Sequence, residues 1–285
     1  MSVTSQPRPP AHFLPILPLA LCAAALLAGP ALAQETVPPP APLQEAAPPL
    51  PPMPVRLLKG FVLDGGIQPN VWLEMQWRME TNTPLPGGID GTRSYLTGIL
   101  ALGFKDRVEA GLQWGGMALD PDGGNSNSGA SDLEVYGKYL LGLAPIDMSV
   151  GGLVKIPTAN SEELLGSGSV DWEGFVAVRK DFGNIQAVGN LGFRWNGDPD
   201  VAGVDGETSL LAGGGVIFGL GKRSSGSLEL SYESRRYEGL SSDFRLTPGF
   251  MLRLGGRGFF RTAVGIGLSD GAPDMEFIAG LGWSY

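Results

Sequence analysis

Side chains alternate between apolar and polar over residues 71–80. Leu73 and Met75 are apolar, whereas their neighbours Glu74 and Gln76 are polar. Trp72 falls on the same face as Glu74 and Gln76. Successive side chains of a β-strand point to opposite faces, so this spacing predicts a strand with one apolar and one mostly polar face. A helix would scatter the same residues around its circumference.

The same alternation recurs along the chain, and it is weaker where glycine blurs the two faces. Clear segments lie at 108–115, 132–139, 185–195, 228–235 and 243–254, and weaker ones at 92–103, 207–218 and 259–268. Three further segments lie near 147–156, 169–180 and 274–285. Together with the first segment they predict an all-β, transmembrane antiparallel β-barrel of about twelve strands, since single-chain bacterial barrels have even strand numbers. Pro248 is awkward within its segment, because proline cannot donate to the ladder.

The connections between these segments alternate in length. Short ones contain Lys105-Asp106, Ala144-Pro145, Asp181-Phe182-Gly183 and Gly255-Gly256-Arg257, and long polar ones lie near 81–91, 117–131, 157–168 and 196–206. Outer-membrane barrels have short periplasmic turns and longer external loops, so the alternation favours this class. The connection at 219–226 is long for a turn, and the one at 269–273 is short for an external loop.

The final segment places apolar residues in one row that ends in an aromatic residue. This row resembles the C-terminal signal by which outer-membrane barrels are recognised, and its aromatic members would also lie at the membrane interface. We therefore expect the barrel-assembly machinery to bind a signal made of Phe277, Leu281, Trp283 and Tyr285. A secreted soluble β-sandwich would also alternate, but the long strands and the terminal aromatic row favour the barrel.

Residues 1–33 have the organisation of a cleaved signal peptide. An apolar stretch at 13–28 precedes Ala31-Leu32-Ala33, a cleavage site that would leave Gln34 as the first residue of the mature chain. The apolar run is shorter than the roughly 20 residues that a membrane-spanning helix needs. We therefore expect export to the cell outer membrane.

Residues 34–68 include a proline-rich stretch, with nine prolines at positions 38–54. Such a composition does not pack as helix or sheet, so we expect an extended, mostly disordered periplasmic segment. The barrel is then predicted to comprise residues 69–285.

The sequence also argues against several classes of function. The single cysteine, Cys22, and the single histidine, His12, both fall in the predicted signal peptide. Histidine-dependent hydrolysis and thiol or imidazole metal sites are therefore excluded from the mature chain, and we expect no enzyme, catalytic residue, cofactor or metal site. The net charge of −9 and the lack of a basic patch with interleaved aromatics argue against nucleic acid as a partner.

Five short motifs lie between residues 129 and 193. They are SDLEVYGKY at 131–139, KIPT at 155–158, GSGSVD at 166–171, FVAVRKDFG at 175–183 and LGF at 191–193. Together they resemble the outer-membrane family named for the MetA pathway of phenol degradation, except that Ala159 stands where the family pattern has glycine. The resemblance implies a barrel linked to uptake or export of small, often aromatic or hydrophobic, compounds.

If the apolar rows face lipid, the opposite rows face the lumen and carry charges of both signs. The candidate lumen-lining residues are Glu74, Arg78, Glu80, Glu109, Glu134, Lys138, Lys155, Asp171, Glu173, Arg179, Arg194, Glu229, Glu233, Arg235, Arg245, Arg253, Arg261 and Glu276. These charges could pair with one another and fill a narrow barrel, or they could line a polar channel and set its selectivity.

Two functional hypotheses therefore stay open. The first is an outer-membrane channel or transporter for small, hydrophobic or aromatic, solutes. The alternative is a non-conducting surface barrel with a structural, adhesive or partner-binding role. In both, outer-membrane lipid surrounds the barrel. In the first, a small-molecule solute is a further partner.

Overall fold

β-Strands make up most of the chain from residue 71 onward. The computed structural model describes residues 56–85, 89–142, 145–200 and 203–285. Its strands are β1 (Val71–Leu85), β2 (Ile89–Phe104), β3 (Val108–Pro121), β4 (Asn127–Ala130), β5 (Leu133–Leu140), β6 (Asp147–Ile156), β7 (Asp171–Phe182), β8 (Ile185–Trp195), β9 (Thr208–Gly219), β10 (Ser224–Glu233), β11 (Asp243–Gly255), β12 (Gly258–Gly267) and β13 (Met275–Ser284). Within the described ranges, no helix has the length and apolar character needed to cross a membrane.

The strands form one antiparallel sheet that closes on itself. Consecutive strands pair, and the ring closes where β13 pairs with β1. Strands β4 and β5 share one position, because both pair with β3 and only Ser131 and Asp132 interrupt them. The ring therefore has twelve positions, which confirms the predicted barrel and its strand number. Closure gives each of the twelve positions a paired neighbour on both sides, as a wall in lipid requires.

The two faces of β1 show how the alternating sequence is used. The apolar side chains of Leu73, Met75 and Trp77 point outward and are between 42% and 54% exposed. Trp72 and Glu74, which alternate with them, are buried inside the barrel. An outward apolar row beside a buried polar row is the arrangement of a barrel wall whose outer surface contacts lipid.

Connections differ in length at the two ends of the barrel. At the end where β13 finishes, called here the short-turn end, they span two to six residues, for example 183–184 and 220–223. The opposite, long-loop end carries the connections 157–170, 196–207 and 234–242. The long turn that we expected at 219–226 is therefore wrong, because β10 already begins at Ser224.

Two further connections are shorter than the sequence predicted. Most of 81–91 and 117–131 is strand, because β1, β2 and β3 extend beyond the apolar belt and continue to pair there. Polar residues on both faces made these stretches resemble loops. Their main-chain groups are nevertheless satisfied by the ladder, as in Gly91↔Pro121.

Residues 56–68 do not join the sheet but lie inside the barrel, and we call them the lumen segment. Leu57, Leu58 and Phe61 are at most 3% exposed, and Asp64 is fully buried. Burial of so much apolar surface favours this position over water.

This placement corrects part of the predicted organisation of the N-terminus. We expected residues 34–68 to form one disordered periplasmic segment, but residues 56–68 are ordered in the lumen. The reason is their composition, since the last proline of the run is Pro54 and the residues that follow are rich in leucine, valine and phenylalanine. The predicted signal peptide at 1–33 and the proline-rich stretch lie outside the described residues.

Candidate functional site

Glu229 on β10 binds the main chain of the lumen segment. Its carboxylate accepts the N–H groups of Leu58 at 2.7 Å, Lys59 at 3.1 Å and Gly60 at 3.2 Å. Buried amides without a partner are costly, and hydrogen bonds to a charged acceptor are stronger than neutral ones. One side chain of the wall therefore holds three successive residues of the segment.

Glu109 on β3 binds both ends of the lumen segment. Its Oε1 accepts a hydrogen bond from Nη1 of Arg56 at 2.8 Å, and its Oε2 accepts from Nη2 of Arg56 and from the N–H of Gln68. The hydroxyl of Tyr136 also donates to it, at 2.9 Å. Glu109 is the second residue of β3, next to the short-turn end. Arg56 and Gln68, the first and last residues of the segment, therefore lie near the same end of the barrel.

Three cations of the wall complete the contacts to the lumen segment. Lys138 donates to two of its main-chain carbonyls, at 2.8 and 3.4 Å. Arg261 donates to two others, both at 3.2 Å. Arg179 pairs with the carboxylate of Asp64, at 3.1 Å. The segment is thus held by side chains from several strands rather than by strand pairing.

Phe61 is the aromatic residue of the lumen segment, and it lies among rings and guanidinium groups. Its ring centroid is 5.4 Å from that of Trp72, which in turn is 4.3 Å from Phe259. The guanidinium carbons of Arg56 and Arg261 lie 4.8 and 5.6 Å from the centre of the Phe61 ring. Both distances are within the range of cation–π attraction.

A cavity of about 470 Å³ lies between the lumen segment and the long-loop end. Lys59 and Leu63 of the segment line the cavity on the side that faces the short-turn end. Leu165, from the connection 157–170, folds inward and packs with Leu85 and other apolar residues of the wall. The cavity is therefore bounded by chain at both ends.

Paired charges cover much of the cavity wall. Arg194 lies between two carboxylates, with nitrogen–oxygen distances of 2.6 Å to Glu173 and 3.0 Å to Glu233. Arg245 pairs with Glu80 at 2.9 Å and also with Asp243. A buried charge that is paired avoids most of the penalty of losing water, so these networks stabilise the charges of Arg194 and Arg245 in the wall.

Glu233 also binds a cation outside the wall. Its carboxylate accepts two hydrogen bonds from Arg236, at 2.6 and 2.7 Å, and Arg236 lies in the connection 234–242. The connection is thereby fixed to the cavity wall.

The sequence motifs at 131–139 and 155–158 have a structural role at the long-loop end. Lys155 pairs with Asp171 at 2.8 Å and with Asp132 at 3.6 Å. Asp132 also accepts the N–H groups of Thr158 and Ala159, at 3.2 and 3.1 Å. These contacts anchor the connection that folds inward over the cavity.

Most of the predicted lumen residues fall into two groups in the structure. Those that contact the lumen segment are Glu109, Lys138, Arg179, Glu229, Arg261 and Glu276. Those that line the cavity or pair at its wall are Arg78, Glu80, Glu134, Lys155, Asp171, Glu173, Arg194, Glu233 and Arg245. Glu74 pairs with Arg261 at 2.6 Å. A role of these residues in selectivity stays a prediction.

Two predicted lumen residues lie elsewhere. Arg235 follows the end of β10, its side chain is 57% exposed, and it pairs with Glu207, so its assignment to the lumen is wrong. Arg253 is on the lumen side of β11 but close to the short-turn end, and no ion pair joins it to another described residue.

The sequence analysis did not predict the lumen segment or the cluster of aromatic residues that packs against Phe61. Trp72 was assigned to the mostly polar face of its strand, although it is fully buried against Phe61 and Phe259. The change of composition after Pro54 was the one signal in the sequence that could have separated the segment from the proline-rich stretch.

The predicted insertion signal lies on the closing strand. Leu281, Trp283 and Tyr285 are between 45% and 49% exposed on the outer surface. The N–H of Tyr285 donates to the carbonyl of Val71 at 2.8 Å, so the end of the chain also completes the seam with β1. Recognition of this row by the assembly machinery stays a prediction.

Solved structures share the architecture of this chain. An outer-membrane channel from Pseudomonas putida F1 aligns with a TM-score of 0.61 and 14% identity, over 78% of this chain and 98% of that chain. The fold is that of an outer-membrane β-barrel. The NanC porin aligns with a TM-score of 0.54 and 9% identity, over 75% of this chain and 100% of that chain. Together with the outward apolar rows, this architecture places the chain in the outer membrane.

No family model matches the chain, and no curated protein matches it either. The resemblance of residues 129–193 to the family named for phenol degradation therefore stays a prediction.

Proposed function

We propose that the protein is an outer-membrane channel or transporter for small solutes, with hydrophobic or aromatic compounds as the solute class. The observation that supports this proposal is that the lumen segment, a loop, obstructs the lumen. The cavity of about 470 Å³ is closed towards the short-turn end by a loop rather than by the barrel wall. A loop held by side chains can leave while the ladder of the wall stays intact, and its departure would open a path across the barrel.

The surroundings of the lumen segment support the proposed solute class. Beneath the charged cavity, the lumen wall carries Trp72, Tyr136, Phe175 and Phe259, all buried in one apolar cluster with Phe61. Ligand sites are usually lined by apolar and aromatic side chains with a few polar groups, and this cluster has that composition. The names of the two similar structures, a channel and a porin, agree with a transport role.

The alternative is a non-conducting surface barrel with a structural, adhesive or partner-binding role. The observation that favours it is the same segment, since the described residues leave the lumen obstructed. It requires that the contacts of Glu229 and Glu109 hold the segment permanently.

Conductance of the purified full-length protein in planar bilayers separates the two proposals. We expect the parent to open rarely and Glu229→Gln to open more often, because the amide replaces a charge that holds three main-chain N–H groups. Glu134→Gln is the matched control, since Glu134 lines the same cavity and forms no hydrogen bond or ion pair with any described residue. Absence of conductance steps in all three proteins at every voltage would favour the surface barrel.

A further inference from the structure

We propose that Phe61 occupies a subsite for the aromatic ring of a solute, so that the lumen segment and the solute compete for one place in the lumen. This proposal rests on the proposed channel function and adds its regulation, because the solute would itself favour the open barrel.

The subsite is built into the wall and does not depend on the lumen segment. Trp72 belongs to β1, and Phe259 and Arg261 belong to β12; the main chains of both strands are fixed by the ladder on both sides. Glu74 holds Arg261 in place through hydrogen bonds to its Nε and Nη2 at 3.3 and 2.6 Å. If Phe61 leaves, a gap of the size of one ring remains between aromatic side chains and a guanidinium group.

The chemistry of this gap selects an aromatic ring over other apolar groups. The guanidinium carbon of Arg261 lies 5.1 Å from the ring centre of Trp72 and 5.6 Å from that of Phe61. A cation near a ring face attracts the ring quadrupole, and an aliphatic group of the same size has no such quadrupole. Because Glu74 already neutralises Arg261, the subsite does not require a charged solute.

The lumen segment can leave the subsite without threading. Arg56 and Gln68 both bind Glu109 close to the short-turn end, so the residues between them can withdraw through that end. Withdrawal breaks only hydrogen bonds, ion pairs and packing to side chains of the wall. Water in the opened lumen can replace the polar partners.

Competition follows from linkage. A solute that binds only after withdrawal raises the ratio of withdrawn to inserted protein by the factor 1 + [L]/Kd. At a concentration about ten times its Kd, this ratio therefore rises about elevenfold. The amides held by Glu229 are protected from solvent in the inserted state, so their exchange reports this population.

Hydrogen exchange of the peptide 57–63, measured by mass spectrometry on the full-length protein in micelles, tests the proposal. Benzyl alcohol is the probe, and cyclohexylmethanol is the control of similar size. We expect benzyl alcohol to accelerate exchange of this peptide about tenfold near ten times its Kd. Cyclohexylmethanol at the same concentration should act severalfold more weakly.

Two variants make the test specific. In Phe61→Ala the inserted segment leaves the ring space empty, so benzyl alcohol can bind there whether the segment is inserted or withdrawn, as small aromatics bind engineered apolar cavities. A solute that binds both states does not shift the equilibrium between them, so the acceleration seen in the parent should be lost. Leu58→Ala removes an apolar side chain of the same segment that packs against Ala263 and Ile278 instead. It should therefore keep the acceleration seen in the parent.

The outcomes are distinguishable from those for the channel proposal. Unchanged exchange in the parent, or acceleration in Phe61→Ala as large as in the parent, would overturn the competition. A barrel that never conducts, but whose segment exchanges faster with benzyl alcohol in the parent and not in Phe61→Ala, would refute the channel and retain the subsite. A barrel that conducts but lacks those responses would retain the channel and refute the subsite.

Discussion

Replacing Glu109 with glutamine removes the charge that binds both ends of the lumen segment. The side chain of Glu109 is fully buried, and that of its partner Arg56 is 1% exposed. Lys138, also fully buried, lies 3.5 Å from the same carboxylate. After the substitution, two buried cations lack this carboxylate, and removal of one partner of a buried pair costs about 3–5 kcal/mol.

Withdrawal of the segment relieves this cost, because Arg56 then reaches water and Lys138 is hydrated in the opened lumen. The barrel ladder does not depend on Glu109, so the free energy appears in the insertion equilibrium rather than in unfolding of the wall. A change of about 3–5 kcal/mol corresponds to a shift of about two to four powers of ten towards the withdrawn state.

Hydrogen exchange of the peptide 57–63 measures this shift, with peptides from the barrel strands as internal reference. Glu173→Gln is the matched control, because Glu173 is a buried lumen carboxylate that pairs with Arg194 and does not touch the lumen segment. Unchanged exchange of the peptide in Glu109→Gln would refute the reasoning. So would an equal acceleration in Glu173→Gln, which would show a general loosening of the lumen.

Three further predictions concern the wall. Leu191→Arg, in the middle of β8 and 54% exposed, should lower barrel stability by about 2–4 kcal/mol in urea titrations in bilayers, whereas Leu268→Arg, beyond the end of β12, should cost far less. Gly103→Ala should disturb the lumen segment, because a Cβ at position 103 would collide with the main chain of Gln68. Gly98→Ala is its control, since a Cβ there would lie 3.6 Å from the nearest atom, and hydrogen exchange of the segment should accelerate only in Gly103→Ala. Removal of residues 283–285 should leave the chain exported but unfolded, since it takes away part of the predicted insertion row and of the seam with β1. If the truncated protein in outer-membrane fractions still migrated differently on gels before and after heating, this prediction would be wrong.

The wall could be predicted from the sequence because its pattern is local. Side chains alternate between the two faces of each strand, and the face that contacts lipid is apolar, so the pattern can be recognised in the sequence. Even Pro248 fits, since it pairs with Leu228 of β10 while the ladder to β12 skips Thr247 and Pro248.

The lumen could not be predicted in the same way. A buried position inside a barrel accepts charged residues when they are paired, and the partners come from distant parts of the chain, as Arg56 and Glu109 show. Trp72 looked misplaced on a polar face because its partner Phe61 belongs to a segment with no strand periodicity. The charges were visible in the sequence, but the pairing that decides between a filled and an open lumen was not.

The first and last residues of the lumen segment lie near one rim of the barrel, and this affects how the barrel assembles. The ring can close first and receive the loop afterwards, so sealing of the pore is a separate event from assembly of the wall. Substitutions that weaken the loop would then produce a folded barrel that admits small solutes, rather than a shortage of folded protein.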